Sequence, residues 1–264
     1  MSITNETLFL YFACACYSLG FVATYLERIR FQQRVVIFSG LVGLLSHSVS
    51  LAMRWRRIDH GPFINLYEIL SSNLWSLQFA CLLFLMLGRQ YRPMGRYLVP
   101  LLAMLMIWLL ITTPKDTYLP ATYDTLWLYF HVFSGKFFLG LLMLASGMAI
   151  FEWQQSKSGG ENIALLATRS LSYRLLAFAF CFESLMLLFG AIWAQDAWGR
   201  YWAWDPLETW AFMTWLSVVI VLHWRLNYSR QGVYAGLVAG CFVLAFLTFF
   251  GVPFISTAPH KGMI

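Results

Sequence analysis

Six of the chain's twelve tryptophans stand between positions 193 and 215: Trp193, Trp198, Trp202, Trp204, Trp210 and Trp215. Tryptophan collects at membrane–water interfaces, but an ordinary interfacial belt spreads over all the loops. Such density in one stretch, about 193–210, predicts a flat aromatic platform for a large planar apolar ligand with a polar edge. A porphyrin has that shape. Arg200, inside the stretch, suits a carboxylate on such an edge through a charge-assisted hydrogen bond. The second kind of chemistry lies in five histidines, His47, His60, His131, His223 and His260, because imidazole is a common axial ligand of haem iron.

The elements that must position these groups are legible in the composition. The 264 residues are 60% hydrophobic, 18% aromatic and only 11% charged, where a soluble domain carries about 25% charged residues. The excess predicts an all-α integral membrane protein with about eight spans, at 8–26, 35–53, 66–88, 97–112, 127–150, 173–193, 206–226 and 232–254. The run 97–112 is short for a hydrocarbon core of about 30 Å, so it starts earlier or thins the bilayer. The lipid bilayer is thus the chain's solvent. The net charge of +6 sits in short clusters between apolar runs, which suits cytoplasmic loops and argues against a nucleic-acid partner. No repeat or linker interrupts the chain, and a single domain, 1–264, is the economical reading.

Lys and Arg set the orientation. With the N-terminus outside, the inner loops hold Arg28, Arg30, Arg34, Arg89, Arg92, Arg96, Lys157, Arg169, Arg174, Arg225 and Arg230. The outer segments hold Arg54, Arg56, Arg57, Lys115, Arg200 and Lys261. Eleven against six supports N-out/C-out, with Arg54–Arg57 as the dissenting cluster. None of the five cysteines forms CxxC or CxxCH, so neither a thioredoxin-like centre nor a covalent c-type cytochrome is expected, and all read as small hydrophobes in helices. The residues before Leu8 include Glu6 and no Lys or Arg, so no cleavable signal peptide is expected.

In this frame the tryptophan segment faces outward. His131, near the outer end of the fifth span, and His260, in the outer tail, share its face and can clamp a haem between them. His60 lies in an outer loop. His47 and His223 are intramembrane, about 9 Å and about 25 Å below the outer ends of their spans at ~1.5 Å per residue. They are not level, so a haem ligand opposite His223 comes from another chain, while His47 reads as a packing residue. Lys136 and Glu183 lie about 14 and 15 Å deep on consecutive spans, which predicts a structural ion pair, with a proton path as the other reading. Asp205-Pro206-Leu207-Glu208 and Asn65-Leu66-Tyr67-Glu68 both read as helix capping boxes. The first gives Asp205 and Glu208 a structural role that needs no catalysis.

The string Trp198-Gly199-Arg200-Tyr201-Trp202-Ala203-Trp204-Asp205-Pro206-Leu207-Glu208-Thr209-Trp210 resembles the WWD signature of haem-handling proteins, in the form found in the CcsA family of System II cytochrome c biogenesis. Arg54-Trp55, the stretch from His60 to Glu68, His131-Val132 and Leu222-His223-Trp224-Arg225 extend the likeness over about residues 45–260. The resemblance implies a haem-handling subunit of a cytochrome c synthase, working with a CcsB-like membrane partner. It would present haem b outside the membrane for attachment to the CxxCH thiols of apocytochrome c. It implies His131 and His260 as axial ligands at the external site, with Trp198, Trp202 and Trp204 against the macrocycle. His223 would ligate a second haem within the membrane, opposite a ligand from the partner. It places the protein in a bacterial inner membrane, with the thylakoid as the alternative. Leu207, Lys261 and Asp59 depart from the family pattern, which has lysine, serine and glycine there. Rival readings are a non-catalytic haem exporter or chaperone, a regulator of haem synthesis on the same scaffold, and a solute transporter without haem.

Overall fold

A computed structural model describes residues 5–26, 32–116, 118–157, 163–227 and 230–255. All eight predicted spans are helices: α1 Asn5–Tyr25, α2 Gln32–Ile58, α3 Leu66–Leu87, α4 Gly95–Ile111, α5 Leu126–Lys157, α6 Ile163–Trp198, α7 Pro206–Asn227 and α8 Gln231–Phe250. A short α9, Val252–Ile255, follows, and no strand occurs among the described residues. Eight of these helices are long and apolar enough to cross a membrane. The run at 97–112 does start earlier: a 3-10 turn, Arg89–Met94, leads into α4, and the apolar stretch spans Tyr91–Ile111. The helices gather in two compact units, Met1–Tyr118 and Leu119–Ile264.

In the first unit, α1 lies against α2 and α3 against α4. Gly43 allows the first approach, since a Cβ there would meet the Tyr17 ring at 2.6 Å. His47 is fully buried, with Nε2 2.9 Å from Ser71 Oγ and Nδ1 3.3 Å from Tyr17 Oη. Both ring nitrogens are engaged, as a packing histidine requires. Phe38, Leu45 and Leu87 stand outward and exposed, a disposition that only an apolar solvent favours.

The outer end of this unit is closed by a buried ion network. Arg54 is 1% exposed and Glu68 0%. Arg54 Nη2 lies 2.7 Å from Glu68 Oε1, and Nη1 lies 3.1 Å from Glu6 Oε1. Arg54 Nη2 also donates to the carbonyl of Lys115. Arg57 bridges Glu6 Oε2 at 2.9 Å and Asp116 Oδ1 at 2.5 Å, and its hydrogen bond holds the Asp116 carboxyl below the usual range. Glu68 is also the capping residue of α3. Its N–H donates to Asn65 Oδ1, while its Oε2 accepts from the amides of Ile64 and Asn65. The predicted capping box is therefore present. The network also bears on the dissenting outer cluster: two of its three arginines, Arg54 and Arg57, are matched by three carboxylates.

The second unit is built on the α5–α6 and α5–α8 contacts. Ser146 Oγ donates to the Val238 carbonyl at 3.2 Å, and Thr214 and Thr248 hydroxyls meet at 3.1 Å between α7 and α8. The ion pair expected between Lys136 and Glu183 is not formed. Glu183 is fully buried, and neither of its oxygens has a hydrogen-bond partner. Equal depth fixes only the position along two helices; the rotation of each about its axis decides whether side chains meet. The five cysteines are unbridged, as expected.

Two outcomes follow for stability in detergent. Arg54→Met leaves the buried Glu68 without its cation and Glu6 with Arg57 alone, and should cost about 3–5 kcal/mol, read as a large fall in Tm. Glu183→Gln breaks no hydrogen bond and should leave Tm within a few degrees of wild type. The charge swap Lys136→Glu with Glu183→Lys should then gain nothing over its single changes.

Candidate functional site

The outer end of the second unit is shaped by how α6 stops and α7 starts. α6 runs through Trp198, five residues past the predicted span, so Trp193 and Trp198 are helical and the loop is only 199–205. Gly199, at φ +78°, ends the helix, its amide donating to the Gln195 carbonyl at 2.9 Å. That left-handed terminus is one glycine adopts without steric cost. At the other side, Glu208 N–H donates to Asp205 Oδ1 at 2.9 Å, and Glu208 Oε2 accepts from Asp205 N–H at 3.4 Å. The second capping box is thus formed as expected. Glu208 Oε2 reaches further and accepts from Ala203 N–H at 2.7 Å, so one carboxylate gathers the whole loop end.

Between Ala203 and Asp205 the backbone is strained. Trp204 has φ +58°, a region that bulky residues rarely adopt and that persists only where surroundings over-determine it. Its side chain is nevertheless 68% exposed. Asp59, at φ +60°, occupies the same region in the outer loop of the first unit. A short acidic side chain is among the few that tolerate this left-handed backbone.

The platform is not one flat surface. Trp198 packs edge-on against Trp193 at 4.9 Å and 76°, and against Tyr123 at 6.0 Å and 82°. Trp202 and Trp204 form a separate edge-on pair at 5.7 Å and 84°, closed by Phe212. Edge-to-face contact is the arrangement the ring quadrupoles favour. Trp210 and Trp215 belong to α7, and Trp215 Nε1 donates to Ser184 Oγ at 2.8 Å.

His131, on α5, meets this loop at a cavity of 70 Å³ shared with Trp193, Tyr201, Trp202, Leu207 and Glu208. Its Nδ1 lies 2.8 Å from the Met186 carbonyl. A carbonyl only accepts, so Nδ1 carries the proton and the lone pair resides on Nε2. The ring lies parallel to Trp193, centroids 6.4 Å apart, and rests on Gly190, where a Cβ would come within 2.7 Å of Nδ1. Trp202 lines the same cavity, and its Nε1 is buried without an acceptor. A buried indole N–H without a partner costs about 1–3 kcal/mol, and a ligand oxygen would relieve it. Leu207 adds an apolar side chain to that wall.

The remaining predicted residues fall elsewhere. Arg200 is exposed in the loop. His223 is on α7, about 25 Å along the helix from Pro206 at ~1.5 Å per residue. It is exposed, and its Nδ1 donates to the Val219 carbonyl at 2.9 Å. His60 is buried, with Nδ1 3.0 Å from the Gly61 carbonyl. His260 and Lys261 lie outside the described residues. The sequence reading passed over Met186, Gly190 and Tyr123; only the spacing of Met186 and Gly190 on one face of α6 hints at a seat for His131. Among the described residues no cluster of three or more His, Cys, Asp or Glu could hold a metal ion by itself.

Residues 63–260, three quarters of the chain, match the cytochrome c assembly protein family. The chain belongs to that family. It is similar to the cytochrome c biogenesis protein CcsA of Chlamydomonas reinhardtii, 30% identical over 226 residues, covering 80% of this chain and 63% of that protein. With CcsA of Guillardia theta it shares 28% over 253 residues, 84% of this chain and 83% of that protein. With CcsA of Drimys granadensis it shares 46% over 91 residues, 34% and 28% of the two chains. It thus spans a little under two thirds of the Chlamydomonas protein's length. The solved structure of the cytochrome c haem lyase CcmF superposes with a TM-score of 0.69 over 95% of this chain and 47% of that one, at 15% identity. That is a likeness of fold, and it agrees with a multi-pass all-helical membrane protein.

Trp204→Gly tests the strain. Glycine adopts φ near +58° freely, and little burial is lost from so exposed a ring, so Tm should hold or rise by a few degrees, about 1 kcal/mol. A marked fall would mean that Trp204 supports the fold rather than being held by it.

Proposed function

We propose that the chain is the haem-handling subunit of a cytochrome c synthase, presenting haem b on the outer face for attachment to the CxxCH thiols of apocytochrome c. The observation that carries this reading is the state of His131. Its proton is fixed on Nδ1 by the Met186 carbonyl, which directs the iron-binding lone pair of Nε2 away from that anchor. A backbone carbonyl that accepts from the other ring nitrogen is a usual partner of a ligating imidazole. The same cavity offers the buried Trp202 N–H as a donor, and Arg200 stands exposed nearby in sequence for a propionate.

The cavity's 70 Å³ is well below the roughly 300–1,000 Å³ of sites that enclose a small molecule. It receives an edge, not a whole macrocycle. That suits presentation, because most of the haem stays within reach of a second protein. Trp202 and Trp204 would pack one side of it, with Trp198 in the adjoining cluster. The chain's part is positioning; the bond-forming reactivity belongs to the haem edge and the incoming thiols. His260 enters as the second axial ligand on the resemblance alone. His223 repeats the tautomer of His131, with Nδ1 donated to a backbone carbonyl. Its exposure on α7 fits a second haem within the membrane whose other ligand comes from a CcsB-like subunit. We place the protein in a bacterial inner membrane, with the thylakoid as the alternative. An exporter or chaperone using the same site is the rival: it would bind haem, yet fail to mature a CxxCH substrate with the CcsB-like subunit alone.

The test is spectroscopic. Purified with its CcsB-like partner, the wild type should show a haem Soret band. His131→Ala should lose most external haem and reduce maturation at least about tenfold, a loss of roughly 1.4 kcal/mol or more, and added imidazole should restore part of it. Gly190→Ala keeps the ligand but displaces its ring and should lower haem content as well. Unchanged haem and maturation in His131→Ala would sink the proposed site.

A further inference from the structure

We infer that the inner end of the first unit binds the phosphate headgroup of an anionic lipid. A cavity of 290 Å³ opens there, between the end of α1, the start of α2, the end of α3 and the 3-10 turn that leads into α4. Arg92, Arg96 and Gln33 stand in its wall, and among the described residues no Asp or Glu lines it. Arg92 Nε is buried without a hydrogen-bond partner, and no carboxylate pairs with Arg92 among the described residues. A guanidinium N–H in that position lacks an acceptor that phosphate oxygens would supply in the geometry arginine favours.

Three further features select a lipid. The arginine balance puts this end of the unit on the inner side, where headgroups are anionic and basic pockets between spans attract them. The lining also includes the apolar Val36, Ile37 and Leu85. It adjoins outward-facing side chains on the same helices, Phe38 at 70% and Leu87 at 68% exposure, so acyl chains can follow the outer surface while the phosphate sits within. The volume lies at the lower end of small-molecule sites, about 300 Å³, which is room for a headgroup. The site is independent of the tryptophan loop and of the haem reading.

The experiment uses the full chain in an uncharged detergent, with phosphatidylglycerol or phosphatidylcholine added. Retained lipid is counted by native mass spectrometry and Tm is followed in parallel. Phosphatidylglycerol should be retained in preference and raise Tm. Arg92→Gln and Gln33→Glu should each weaken its retention by about tenfold or more. Gln33 is exposed, so its change tests the site without risk to the fold. Arg34→Gln removes an equal charge outside the cavity and should leave the preference intact. Equal retention of the two lipids, or unchanged retention in both pocket variants, overturns the proposal. Inorganic phosphate that matches the lipid's effect on Tm, or haem that displaces the lipid, overturns the lipid assignment in favour of those anions.

Discussion

A helix that starts at the outer edge of a bilayer leaves its first amide groups without partners, and in this chain two glutamates meet that need at decisive places. Glu68 and Glu208 each sit three residues after an N-cap and fold back on the amides before it. The same device yields different results because the surroundings differ. Glu68 is fully buried and also binds Arg54, and Arg54, which reaches Glu6 as well, becomes the node that ties α1, α2 and α3 at the outer end of the first unit. Glu208 has no described ion pair. Its spare reach goes to Ala203, and the loop it gathers is held in a conformation that Trp204 would not adopt alone.

The histidines differ in what their first hydrogen-bond partner fixes. His47 gives both ring nitrogens to hydroxyls of Tyr17 and Ser71, and nothing in that arrangement selects one tautomer. His131 and His223 each give Nδ1 to a backbone carbonyl, an acceptor that admits only the Nδ1–H form and so leaves Nε2 as the basic nitrogen. Position in the membrane does not separate the three; the chemistry of the first partner does.

Much of this was legible in the sequence, for reasons of period and local chemistry. Apolar runs of span length located all eight helices, and the capping boxes were readable because their partners are three residues apart. The end of α6 was missed because the polar residues Gln195 and Asp196 look like a loop, yet they continue the helix until Gly199 stops it. The Lys136–Glu183 pair was misread because depth can be counted along a chain while rotation depends on packing. The flat platform was misread for a related reason: composition counts rings, but ring quadrupoles set them on edge. The Arg54 network drew on Glu6, Glu68 and Asp116 from three distant segments, a convergence that no local pattern announces.

The division of the tryptophans bears on what a presenting site needs. A flat stack buried between helices would hold a macrocycle tightly and on both faces, which opposes transfer to another protein. Two edge-on clusters flanking a shallow cavity hold it differently. The Trp193–Trp198–Tyr123 cluster is anchored, with Trp193 Nε1 bonded to the Tyr123 carbonyl at 2.9 Å, and supplies a rigid wall beside His131. The Trp202–Trp204 pair rides on a strained loop whose position rests on Glu208. A ligand oxygen on the Trp202 N–H would remove an existing penalty, and its departure would restore it. On the proposed reading the free protein is therefore raised in energy at the point where cargo would dock, while the cavity's small volume would limit how much contact the cargo gains. Affinity from relief of local strain, with little enclosed area, lets one edge be held firmly while the rest of the molecule remains available for the next step.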